Sequence, residues 1–234
     1  MPLKSKRSTA ENRPRRSAAA PAPTSSPWRT AVERERLRAS KREAVLRTAA
    51  QLFNEKGFHA TSLDDVAERL HITKPTLYYY IRSKDEILFE CVSIGLQMLE
   101  DAIQAERAGG GRAIDQLMAA MRSYVQIVTQ DFGMCIIRVG EDPLPPESRR
   151  ALRAFKAKLD AHFRDLVRQG IAEGSLADCD PKLAAFTLAG ALSWVGRWYR
   201  PEGQLTPDEI AAQSIALLMS GLRRREAATT RKRT

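Results

Sequence analysis

Apolar residues recur along this chain every three to four positions, the period of a helix with one buried face, and no convincing strand pattern interrupts it. Val45, Leu46, Ala49, Leu52 and Phe53 mark one face of a helix over 41–56, which Gly57 ends as a left-handed cap. The charged stretch from Trp28 to Arg42, free of Gly and Pro, is consistent with a helical lead-in to it. Leu63, Val66, Ala67 and Leu70 fall at i, i+3, i+4 and i+7 and predict a short second helix. Leu77 and Ile81, four apart, are the inward positions of a third. A long helix over 84–107 carries Ile87, Leu88, Cys91, Ile94, Leu99 and Ile103, and Gly109-Gly110-Gly111 breaks it.

A second block follows. Residues 113–130 predict a helix, Asp131-Phe132-Gly133 a break, and 134–139 a short apolar segment. A Pro-rich loop over 141–146 leads into a long helix over 147–173. Asp180-Pro181 opens another helix that runs to about Tyr199, and Thr206-Pro207 opens the last, which ends near Arg223. The expected fold is all-α, with about nine helices. An N-terminal three-helix helix-turn-helix domain over 40–84 precedes a helical effector-binding and dimerisation domain over 85–223. A basic, largely disordered arm over 1–39 and a basic tail over 224–234 flank them.

The polar positions sharpen the segment 58–89. Ser62 stands three residues before Asp65, the spacing of a reciprocal cap. His71-Ile72-Thr73 is the turn, Thr73 caps the third helix, and Pro75 falls in a first turn whose amides have no helical partner. Leu77 and Ile81 face inward, which leaves Lys74, Thr76, Tyr78 and Tyr79 toward solvent with Tyr80 at the edge. Three consecutive residues span about 200° of a helix, so the Tyr78-Tyr79-Tyr80 run cannot lie wholly in a core. Hydroxyls and an ammonium suit phosphate oxygens, and a Tyr ring or Thr methyl suits a thymine methyl. Two short helices at this spacing can present one to a major groove.

Charge adds a second layer. The net charge of +10 is uneven. Residues 1–42 hold twelve Lys/Arg against three Glu, and 222–234 hold six against one, so residues 43–221 are mildly acidic, with 20 basic and 24 acidic residues. Such tails suit a polyanion. The N-terminal arm either follows a nucleic-acid backbone or minor groove or serves as a solubilising tail. No run approaches 18 apolar residues, which predicts no membrane span. The N-terminus lacks an apolar signal core. Three dispersed cysteines (Cys91, Cys135, Cys179) show no disulfide framework or metal spacing and fit a reducing cytoplasm as core residues.

These residues resemble the DNA-binding domain of TetR-family transcriptional repressors. The resemblance rests on Ala49-Ala50-x-Leu52-Phe53, Lys56-Gly57-Phe58-x-Ala60-Thr61-Ser62 and Val66-Ala67, and most of all on the run from Ile72 to Lys84. Pro75 stands where Gly is common and Ile81 where Phe is common. The resemblance implies a homodimer whose paired recognition helices read a palindromic operator in double-stranded DNA. Matched residue by residue, the DNA contacts are Thr61 or Ser62, then Thr73, Lys74, Pro75, Thr76, Tyr78, Tyr79 and Tyr80, with Lys84 on a phosphate.

Small residues along 182–198 and in the last helix allow close helix approach, so the expected homodimer seam spans about 182–223. The Met and aromatic residues of the second block suit an ordinary core and also an apolar ligand pocket, and the family resemblance favours an effector cavity. The candidate effector pocket comprises Met98, Met121, Tyr124, Met134, Arg138, Phe155, Phe163, Trp194, Arg197 and Trp198. Trp194 is placed on an inward face, and Arg138 either pairs with an acidic neighbour or meets an anionic ligand. The segment from Trp194 to Ala211 is similar to one in TetR-type regulators of fatty-acid and steroid catabolism, which implies an acyl-CoA thioester or another amphipathic carboxylate as effector. The expected function is a ligand-responsive repressor with no cofactor and no metal site. The alternative is a non-specific architectural DNA-binding protein that uses its basic tails. An enzyme on a helical bundle lacks support, because the three His are dispersed and no nucleophile–base constellation occurs.

Overall fold

The computed structural model describes residues 30–222, which form nine helices and no sheet. They are α1 (Ala31–Lys56), α2 (Leu63–Arg69), α3 (Lys74–Tyr78), α4 (Lys84–Ala108), α5 (Ala113–Val128), α6 (Asp131–Arg138), α7 (Pro146–Ala172), α8 (Pro181–Trp198) and α9 (Pro207–Leu222). The basic arm up to residue 29 and the tail from residue 223 lie outside the described residues.

Most helix starts are fixed by short-range hydrogen bonds. In α1 the Glu33 amide donates to Thr30 Oγ1 at 3.2 Å, and the Thr30 amide donates to Glu33 Oε2 at 2.7 Å. This reciprocal cap satisfies two of the amides that a helix leaves unpaired. Its position corrects the expected boundary at residue 39. Residues 31–39 are the first turns of a continuous 26-residue helix, and only its second half, from Val45, is buried. Ser83 caps α4, Asp180 caps α8, and a Thr206–Glu209 pair caps α9.

The expected break at Asp131-Phe132-Gly133 is a second correction, because these residues open α6. Gly133 serves close approach here. A Cβ on it would stand 1.9 Å from the Ile127 carbonyl oxygen. Gly95 does the same for the crossing of α4 over α6, since its Cβ would meet the Phe132 carbonyl oxygen at 2.8 Å. Helix α5 is central to the second block and packs against α4, α6, α7, α8 and α9. Val45, Leu88, Leu96, Leu117, Phe163 and Leu188 belong to one continuous core that runs through both blocks. Among the described residues, no helix is long and apolar enough to cross a membrane.

Candidate nucleic-acid interface and effector cavity

Helix α2 starts at a cap in which the Asp65 amide donates to Ser62 Oγ at 3.1 Å and the Ser62 amide donates to Asp65 Oδ2 at 2.7 Å. Hydrogen bonds from Ser62 and Lys56 hold the Asp65 carboxyl well below the usual carboxylate range. The chain then reverses at His71, whose φ of 54° is left-handed. His tolerates this region better than bulky residues do, and the single strained residue sets the angle between α2 and α3. Thr73 caps α3, and Pro75 occupies its first turn.

Two side chains anchor α3. Leu77 is fully buried and Ile81, just beyond the helix, nearly so. Every other predicted contact from Thr73 to Tyr79 is exposed, with Tyr79 at 64% and Tyr78 at 48%. Tyr80 is half-buried, its ring perpendicular to that of Tyr79 at 5.0 Å. Lys74 reaches Asp64 on α2 at 2.9 Å, and this hydrogen bond raises its pKa. Both partners are exposed, so the pair is weak and can be exchanged for a phosphate.

Two predicted contacts point elsewhere. Thr61 is buried and donates from Oγ1 to the Gly57 carbonyl at 2.9 Å, so Ser62 alone of that pair stays at the surface. Lys84 donates from Nζ to the carbonyls of Phe58 and Thr61, each at 2.9 Å, and lies over the Phe58 ring at 4.4 Å. These carbonyls belong to the α1–α2 connection, which has no helical partner for them. Lys84 therefore ties α4 to the helix-turn-helix with two of its three ammonium donors. Arg42 of α1 makes a second tie, pairing with Glu90 and with Glu86 at 3.0 Å.

The second site is a cavity of about 260 Å³ between α4, α5, α6, α7 and α8. Leu96, Leu99, Tyr124, Ile136, Phe163 and Ser193 give it an apolar lining with one polar point, the hydrogen bond between the Tyr124 and Ser193 hydroxyls at 2.7 Å. Burial pushes the Tyr124 phenol up. Lys156 and Asp160 also border the cavity, with Lys156 paired to Glu141.

Of the ten candidate pocket residues, Tyr124 and Phe163 line this cavity. Met121 is sealed in the core, and Met98 and Phe155 are half-buried against it. Met134 and Arg138 border a separate polar cleft of about 450 Å³ between α1, α6 and the α8–α9 turn. Arg138 forms no ion pair with an acidic neighbour among the described residues. It donates from Nε to the Gly196 carbonyl at 2.9 Å and from Nη2 to the Tyr199 carbonyl at 2.8 Å, where the negative end of α8 favours a cation. Its guanidinium also touches the Asn54 carbonyl of α1 at 3.5 Å, so one side chain spans three helices. Trp194, Arg197 and Trp198 are exposed, which corrects the inward placement of Trp194. Ala185, Leu188, Leu192 and Val195 form the inner face of α8, while Leu183 (67% exposed) and Trp194 (63%) lie on its outer face. Leu217 of α9 is 75% exposed.

The two sites are joined through α6. Gln51 donates to Asp131 Oδ2 at 3.0 Å, Asn54 donates to the Asp131 carbonyl at 2.8 Å, and Arg47 lies over the Phe132 ring at 5.1 Å. Cys91 and Cys135 are buried, and burial raises both thiols, that of Cys135 to about 12. Among the described residues no group of three or more His, Cys, Asp or Glu is placed to hold a metal.

Residues 45–91 match the family described as bacterial regulatory proteins, tetR family, and residues 110–222 match the tetracyclin repressor-like C-terminal domain. The HTH-type transcriptional repressor KstR2 of Rhodococcus jostii is 27% identical over 191 residues, 79% of this chain and 92% of that protein. A TetR/AcrR-family regulator from Thermobifida fusca is 35% identical, with a TM-score of 0.61 over 79% of this chain and 100% of that one. AibR, solved with isovaleryl coenzyme A and operator DNA, is 27% identical, with a TM-score of 0.68 over 75% of this chain and 96% of that one.

Proposed function

The chain belongs to the TetR family of bacterial transcriptional regulators, and from that premise we propose that it is a homodimeric repressor that binds a palindromic operator and is released by a small amphipathic effector. One observation carries the DNA-binding part: α3 is held by Leu77 and Ile81 while Thr73, Lys74, Pro75, Thr76, Tyr78 and Tyr79 stand free of the core. Ser62 joins them from the start of α2. A single short helix makes few base contacts, so tight binding needs two copies held at half-site spacing. The outer faces of α8 and α9 would provide that pairing. Leu183, Trp194 and Leu217 are large apolar side chains left in water by the single chain.

The effector's apolar end would occupy the cavity. At about 260 Å³ it is near the lower limit for ligand pockets, roughly 300–1,000 Å³, so it accommodates a short acyl chain and not a whole coenzyme A. AibR's complex with isovaleryl coenzyme A favours a short acyl-CoA thioester, whose polar part would remain outside. The cavity is walled by Leu96 and Leu99 of α4 and Ile136 of α6. Through Lys84 and Arg42, α4 holds the helix-turn-helix, and through Asp131, α6 holds α1. A ligand that prefers one setting of these helices lowers operator affinity by the same preference. In this reading the expected DNA-binding domain over 40–84, extended back to Ala31 by α1, would bind the operator, and 85–223 would hold the effector and the dimer seam.

Selection of bound sites from random duplexes, followed by titration with a panel of acyl-CoAs and free acids, tests this. The expected result is a palindrome released by a short acyl-CoA. Binding without any sequence preference would favour the architectural alternative, and no release or heat with any panel member would remove the effector.

A further inference from the structure

The first turns of α1 precede residue 45, where the match to the N-terminal family domain begins, and they pack against no core. On a helix of 3.6 residues per turn, Arg34, Arg38 and Lys41 at i, i+4 and i+7 share one face. No carboxylate lies on that strip. Glu33, Glu35 and Glu43 project to the side or the back of it. None of the three cations forms an ion pair among the described residues, although acidic residues are plentiful on this helix. The strip continues the face on which Val45 is buried, so it points the way the helix-turn-helix does. One contact fixes this: the Arg38 guanidinium lies over the Tyr79 ring at 5.3 Å. The Arg42 pairs with Glu86 and Glu90 and the Thr30 cap hold the helix in place.

We propose that the Arg34–Arg38–Lys41 face of α1 is a second DNA-contacting element, which lies along the phosphates of the duplex that α3 enters. Arg34 and Lys41 are about 10 Å apart along the axis at 1.5 Å per residue. One strand of a duplex has a phosphate for about every 3.4 Å of duplex axis, and three long side chains spread over this length can reach up to three of them. The contact is electrostatic and carries no base information, so it sets affinity and salt dependence and leaves sequence preference to α3. The proposal rests on the DNA-binding reading above.

The test is a salt series of anisotropy titrations on the duplex selected by the full chain, with Arg34→Gln/Arg38→Gln/Lys41→Gln compared with wild type. Gln is a good helix former, and far-ultraviolet circular dichroism checks that α1 persists. Each lost phosphate contact should reduce the steepness of log affinity against log salt by about 0.9, up to about 5 for a dimer, with the selected-to-scrambled ratio unchanged. Arg36→Gln, on the opposite face, should leave the slope alone. An unchanged slope in the triple variant, or an equal fall in R36Q, overturns the proposal. So does an unchanged slope with a smaller assembly on sedimentation, which would place the face at a protein contact. A wild-type chain that binds no duplex at any salt overturns this proposal and the DNA-binding reading together, whereas binding with an unchanged triple-variant slope overturns this proposal alone.

Discussion

Helix α3 keeps two side chains, Leu77 and Ile81, for the fold and leaves Thr73 to Tyr79 otherwise exposed. The cavity in the second block does the reverse: Leu96, Leu99, Tyr124, Ile136 and Phe163 face the same space from four helices, and each is also part of the packing that makes the space. Side chains on α3 can therefore change without a change of fold, while a change in the cavity wall alters stability and ligand fit together. The difference teaches where each property can be tuned. On the proposed reading, sequence preference would reside in residues that stand outside the core and effector response in residues that also build it.

The largest test of this contrast uses neither site. Trp194→Glu places charge on the outer face of α8 without touching the core. Sedimentation velocity should show a shift from dimer to monomer, with dimer affinity down by about 100-fold or more, as expected when a buried aromatic anchor is lost. A variant that remains dimeric would remove α8 from the seam. Next in size, Leu77→Ala deletes an anchor of α3 and should cost about 2–5 kcal/mol in urea unfolding. A loss below about 1 kcal/mol would mean that α3 is not held as described.

Tyr124→Phe sharpens the cavity side. It leaves the Ser193 hydroxyl without its partner and should cost about 1 kcal/mol. In the wild type, the buried Tyr124 phenol should ionise above the exposed tyrosines in an ultraviolet titration. Ionisation together with them would show water reaching the cavity wall. The smallest effect is at the α2 cap. The folded Asp65 carboxyl titrates below its ordinary value near 3.8, so its contribution is complete above that value and is lost as pH falls through the lower folded one. The stability gap between wild type and Asp65→Asn should be flat from about pH 5 to 7 and should close below about pH 4. A gap that closes at neutral pH would exclude the cap as its source.

The same contrast explains which parts were legible in the sequence. The Ser62–Asp65 and Thr73–Thr76 caps join residues three apart, and helix periodicity is local, so the helix-turn-helix is readable from a short window. The burial of Thr61 and the reach of Lys84 are not legible locally, because carbonyls of the α1–α2 connection decide them, and for Lys84 these lie 23 and 26 residues away. The outward face of Trp194 is not legible in the sequence because α8 is apolar around most of its circumference, and periodicity alone cannot choose between two such faces. The Asp and Gly at the start of α6 mimic a break in the sequence, whereas Gly133 lets the Ile127 carbonyl pass. Leu96, Leu99 and Ile136 carry no local mark of a cavity, since lining and core differ only in what five helices leave between them.

The central claim, that the exposed face of α3 reads duplex DNA, is tested most directly by Tyr79→Ala. At 64% exposure the Tyr79 ring carries little of the fold, so the thermal midpoint should hold. Affinity for the selected palindrome should fall by about 10- to 100-fold while affinity for a scrambled duplex of equal length is retained, the signature of a lost base contact worth about 1–3 kcal/mol. Equal affinity of variant and wild type for the palindrome, or an equal fall on both duplexes, would contradict it.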